Sequence, residues 1–282
     1  TPSAEKPRIK SEVRSLSKAM NFEEGHPARD LLSFLNDTWF PLTELDEGSR
    51  GRWPIKDQNG AVVAGAERTR SEHLRVDAES MDALLRGDLT AFHGLDTYAQ
   101  FDEKALQPLV QAVQNLDQPF QRILVLANAL HDAGYRNLHP LISHQQVGDE
   151  KDEEFLQEQG DDPLTIALVT EVVRAHSDLW NLTIDYEDSL RGSPLLERGR
   201  HEALIAWAQS LAERGLIAQD QLLELLKKFK VVLTALTVAD VHASGDRHLT
   251  DETLQKIFYA ADQALAISPE DLNGPPRERI EI

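Results

Sequence analysis

Apolar residues recur at helical spacing from Leu106 onward, interrupted only by short polar or glycine-bearing stretches. This pattern predicts helices at Leu106–Asn115, Pro119–Ala133, Asp149–Gln159, Pro163–Ser177, Leu195–Arg214, Ala218–Ala243 and Thr250–Ile267. Gly134, Gly160, Gly192, Gly215 and Gly245 fall where these helices should stop, the position glycine favours because it enters the left-handed region at little cost. Almost nothing here alternates with period two, so the expected fold is all-α. The first 100 residues read differently. One amphipathic helix is expected at Ala28–Phe40, and then Pro41, Gly48, Gly51, Pro54, Gly60 and Gly65 punctuate the chain too often for a long helix. Ala61-Val62-Val63-Ala64 is a candidate for a small strand or hairpin arm. The expected organisation is an N-terminal extension over residues 1–90, partly helical and partly irregular, followed by a helical domain over 91–282.

With 282 residues and 41% hydrophobic content, the chain is long and apolar enough for a packed core. Its formal net charge of −19 opposes the counterion-release binding that holds nucleic acids and anionic membranes, so neither is an expected partner. A phosphate-bearing ligand would need a locally positive site, and a divalent metal is the simplest one. With no cysteine, metal ligation falls to the ten histidines and the carboxylates. No run approaches the roughly 18 apolar residues of a membrane span, and Thr1–Lys10 is polar. A cytoplasmic setting is expected, with a removed leader left open by the start at Thr1.

Three helices carry a polar residue at the end of an apolar stripe. Leu124, Ala127 and Asn128 precede His131 by seven, four and three residues, which directs this histidine inward; Asp132 follows it. Val169, Val172 and Val173 stand at the same offsets before His176, and Leu233, Leu236 and Thr237 before Asp240. A buried Asp240 needs a cation, a cluster of donors or a metal beside it. Taken singly, an inward histidine is more often a hydrogen-bonded core residue than a ligand, and a buried aspartate can simply cap a neighbouring helix. Brought together from separate helices, His131, Asp132, His176 and Asp240 make a nitrogen- and oxygen-rich site for a divalent metal of unspecified identity.

In this order the residues resemble the HD superfamily of metal-dependent phosphohydrolases, and within it the HD domain of bacterial PII uridylyltransferase/uridylyl-removing enzymes. Leu233-Thr-Ala-Leu-Thr-Val-Ala-Asp240, Val173-Arg-Ala-His176 and Leu141-Ile-Ser-His144-Gln-Gln-Val-Gly148 carry the resemblance, which covers roughly residues 93–265. It implies an HD-like helical bundle holding one or two metals. One departure matters: Lys104, in Phe101-Asp-Glu-Lys104, stands where the family places its first ligating histidine, and a protonated lysine cannot ligate. Lys104 would then be a fixed cation in the metal's place. Pro108 argues for a helix that starts after Asp102, which would leave His93 or His73 to reach the site from an irregular segment.

Two functional readings follow. In the first, the chain hydrolyses a phosphomonoester or phosphodiester of a nucleotide, a phosphorylated small molecule or a nucleotidylated protein. His131, Asp132, Asp240, His176 and His93 are its candidate metal ligands, Asp132, His144 and Lys104 its candidate catalytic groups, and Arg136 and Arg174 its candidate phosphate anchors. In the second, Lys104 marks a site that has lost its metal, and the fold serves regulation or protein contact.

Overall fold

The computed structural model describes residues 52–56, 61–89, 92, 101–131, 153, 156, 157, 160–185, 194–244 and 249–274. It begins with an antiparallel hairpin of β1 (Arg52–Lys56) and β2 (Val62–Thr69), with Arg52 opposite Thr69 and Lys56 opposite Val62. The strand expected at Ala61–Ala64 is thus the start of a longer one. Every element after it among the described residues is helical: α1 (Arg70–Arg86), α2 (Glu103–Gln114), α3 (Gln118–Leu130), α4 (Pro163–Asp185), α5 (Pro194–Glu213), a 3₁₀ turn (Gln219–Gln221), α6 (Leu222–Ala243), α7 (Asp251–Ala264) and the single turn α8 (Pro269–Leu272). Among the described residues no helix is long and apolar enough to cross a membrane.

Helix α6 is the axis of the bundle. From Val232 to Ala243 every residue is buried, because α1, α2, α3, α4 and α7 pack around it; its mostly apolar residues fit the centre of a core, and the polar ones, Asp240 among them, are buried with them. The surrounding helices show the one-sided stripes that such a centre requires. In α2 the buried residues are Leu106, Leu109, Val110 and Val113, and in α7 Leu254, Ile257, Ala260, Ala261 and Ala264. Their ends are capped locally. Asp117 accepts from the Phe120 amide at the start of α3, Thr250 from Thr253 at the start of α7, and Ser268 and Asp271 form a reciprocal capping box around α8. At the polar N-terminal end of α6, Lys228 reaches Asp117 at 2.6 Å and lies over the Phe120 ring, which ties α6 to the start of α3.

Three expectations need correction. The boundary placed at residue 90 does not divide the packing: α1, inside the supposed extension, lies against α6 and contributes Val76, Met81 and Leu84 to the common core. The helix expected at Leu106–Asn115 starts earlier, at Glu103, with Asp102 as its N-cap and Pro108 inside it. Lys104 and Pro108 are both exposed, so the carbonyl that loses its helical donor faces solvent, where water replaces the bond. Helix α4 continues beyond Ser177 to Asp185. Of the helix expected at Asp149–Gln159, Glu153, Leu156 and Gln157 are helical and the rest lies outside the described residues, as do Ala28–Phe40.

Candidate metal centre

Four helices bring polar side chains to one place in the core. On α1 the buried positions His73, Val76, Asp77 and Ser80 follow the i, i+3, i+4, i+7 spacing of one helix face, so this face enters the bundle with its polar groups inward. On α3, Leu124 and Ala127 bury the stripe that leads to Asn128 and His131, and His131 ends the helix as its C-cap. On α4, Val169, Val172 and Val173 lead to His176, and on α6, Leu233, Leu236 and Thr237 lead to Asp240; all are buried. The inward phase read from the sequence for His131, His176 and Asp240 is the phase observed.

His73, His131 and Asp240 form a group that can hold a metal ion, with one ligand atom from each and all three atoms within 4.8 Å of one another. His73 Nε2 lies 3.2 Å from Asp240 Oδ1, and His131 Nε2 lies 3.8 Å from the same oxygen. Two atoms bound to one ion at about 2.1 Å stand roughly 3.0–3.4 Å apart between octahedral and tetrahedral angles. The first separation falls in that range, and the second needs a closure of a few tenths of an ångström. The side chains of His131 and His73 are 0% and 1% exposed, whereas that of Asp240 is 12% exposed, so access from solvent lies on the Asp240 side.

The proton positions are set by the partners. A carbonyl oxygen only accepts, so the 2.7 Å contact of His131 Nδ1 with the Asn128 carbonyl places a proton on Nδ1 and, in the neutral ring, a lone pair on Nε2. That is the tautomer a ligating histidine needs. His176 makes the same kind of bond, from Nδ1 to the Val173 carbonyl, and its ring stands edge-on to His131 with centroids 5.1 Å apart. It lies beside the three-residue group without being a member of it.

Next to the group, α1 and α6 are pinned together. His242 Nδ1 contacts Ser80 Oγ at 2.6 Å and its Nε2 donates to the Phe92 carbonyl at 3.0 Å. His242 therefore holds the fold at the level of the site, and α6 ends just beyond it at Ala243.

Two expected site residues are placed elsewhere. Lys104 is exposed on the first turn of α2, outside the buried group, and the third residue that could ligate is instead His73 on the regular helix α1. Arg174, expected as a phosphate anchor, has its guanidinium fork on both carboxylate oxygens of the buried Glu171, one turn back on α4. Asp132, His93, Arg136 and His144 lie outside the described residues. Sequence reasoning missed Asp77, named Asn128 only as part of the stripe before His131, and mentioned His73 only as a residue on an irregular segment. The available signal was the spacing of His73, Val76, Asp77, Ser80, Met81 and Leu84, which a hydrophobicity count overlooks because half of that face is polar.

Compared with family models, with curated proteins and with solved structures, the chain matches none.

Proposed function

We propose that this chain is a metal-dependent phosphohydrolase of the HD type, acting on a phosphomonoester or phosphodiester of a nucleotide, a phosphorylated small molecule or a nucleotidylated protein. The observation that carries the proposal is the convergence of His73, His131 and Asp240 from three helices, in the chain order His, His-Asp, Asp that the resemblance implies. A divalent cation held there would polarise a phosphoryl oxygen and lower the pKa of a bound water, and would supply the positive site that a chain of net charge −19 otherwise lacks.

The chain's own residues divide the work. His73 and His131 offer nitrogen ligands from the dry side of the site, and Asp240 offers a carboxylate on the side nearest solvent, where a phosphate would enter. Asp132, adjacent to His131, is the second carboxylate by resemblance, with His144 as proton donor and Arg136 as phosphate anchor. The substitution at Lys104 had favoured a degenerate regulatory module. His73 supports the enzymatic reading instead, since it restores a third ligand without using position 104.

The test is metal analysis of protein purified without chelator, followed by turnover of bis(p-nitrophenyl) phosphate with Mn²⁺, Co²⁺, Ni²⁺, Zn²⁺ or Mg²⁺. Hydrolysis is expected with at least one cation and is expected to vanish in Asp132→Ala and Asp240→Ala. No turnover across the metals, or a wild-type rate in Asp132→Ala, overturns the assignment.

A further inference from the structure

The carboxylate of Asp77 is fully buried on α1, one turn after His73 and facing α3. Its Oδ2 accepts from Asn128 Nδ2 at 2.8 Å and lies 3.4 Å from His131 Nδ1. Asn128 therefore acts at two points: its main-chain carbonyl accepts the Nδ1 proton of His131 and its side-chain amide holds a carboxylate beside that same proton. The imidazole of His131 lies between two acidic groups, Asp77 toward Nδ1 and Asp240 toward Nε2.

From this geometry we infer that Asp77 is a positioning residue for His131, fixing its proton on Nδ1 and directing its Nε2 lone pair toward the Asp240 side. An anion near an N–H stabilises the proton on that nitrogen and makes the opposite nitrogen a stronger donor. Moving the proton to Nε2 would place an N–H toward His73 and Asp240 and leave Nδ1 without a proton between two acceptors, the Asn128 carbonyl and the Asp77 carboxylate. A carboxylate at full burial is costly unless it is held by donors, and the Asn128 amide is one of them. Helix α1 thus supplies both a ligand, His73, and the outer partner of a second ligand, His131, from positions four residues apart. The consequence for cation affinity rests on the phosphohydrolase reading above, whereas the tautomer of His131 does not.

The experiment has two arms, both on the full chain. In metal-free protein, long-range ¹H–¹⁵N correlation of the His131 ring reports which nitrogen is protonated, and the Nδ1 proton is expected far downfield and protected from exchange. Asp77→Asn, which preserves volume, should move that proton upfield and raise the Nε2–H population; Asn128→Ala should act in the same direction, since it frees the carboxylate while leaving the main-chain carbonyl in place. In the second arm, Co²⁺ titration followed by absorption should show affinity about 10–100-fold weaker in Asp77→Asn, the usual effect of losing an outer-shell partner. A His131 signal unchanged in both variants overturns the inference, whatever the metal does. A signal that depends on Asp77 in a protein indifferent to Co²⁺ sustains the inference and sinks the metal centre. Wild-type protein that binds Co²⁺ with an affinity Asp77→Asn leaves intact overturns the proposed consequence for binding.

Discussion

Replacing His73 tests most directly which residue completes the site. Its Nε2 is 3.2 Å from Asp240 Oδ1 and its side chain is 1% exposed, so His73→Ala leaves one imidazole and one carboxylate of the described group. Losing an outer-shell partner costs about 10–100-fold in affinity, and losing a direct ligand should cost at least the upper figure, about 100-fold or ~2.7 kcal/mol. Truncation also opens space in the core, at a cost of roughly 1–3 kcal/mol to the metal-free protein. His73→Gln separates the two effects, because an amide fills much of the space of the imidazole while binding a cation poorly. Linkage supplies the assay. A cation at about 100 times the wild-type dissociation constant stabilises the fold by ~2.7 kcal/mol, and with affinity reduced about 100-fold the same concentration gives only ~0.4 kcal/mol. Thermal melts with and without Mn²⁺, alongside calorimetric titration, should show the wild-type shift nearly abolished in both His73 variants. Lys104→His should behave as wild type, since position 104 is exposed and outside the group. A Lys104→His variant that gains affinity while His73→Ala keeps it would refute the assignment of the first ligand to α1.

Two further expectations concern the scaffold. Asp162 accepts from the amides of Leu164 and Thr165 at 3.0 and 3.1 Å and from the Thr165 hydroxyl; partial burial pushes its pKa up, but these bonds together hold it below the ordinary 3.8. Because the folded pKa is the lower one, the stability it contributes is fully present above about pH 4 and is lost as pH falls through the folded value. Asp162→Ala should therefore cost about 1 kcal/mol at neutral pH and progressively less under acid, read by urea unfolding at several pH values. Pro108 interrupts an otherwise regular α2 on its exposed face, so Pro108→Ala should stabilise the protein by roughly 2 kcal/mol, the helical penalty of proline less its restriction of the unfolded chain; an unchanged urea midpoint would count against this.

The sequence by itself determined the six long helices α2 to α7 described after residue 101, to within a few residues at most ends, and the inward direction of His131, His176 and Asp240. Both follow from local periodicity: once an apolar stripe must face the core, the residues in phase with it face the core too. Legible in the same way, though overlooked, was the Arg174–Glu171 pair, because residues three apart on a helix are neighbours. Only the tertiary structure decided that α1 belongs to the bundle. Its buried face carries His73, Asp77 and Ser80, so the hydrophobic signal fades where the chemistry is densest, and that face becomes recognisable only when α3 and α6 supply its partners. Position 104 was misread for the complementary reason. A motif compared along the chain fixes order but not depth, and the capped start of α2 leaves Lys104 at the surface while His73, 31 residues earlier in the chain, meets Asp240 in the core.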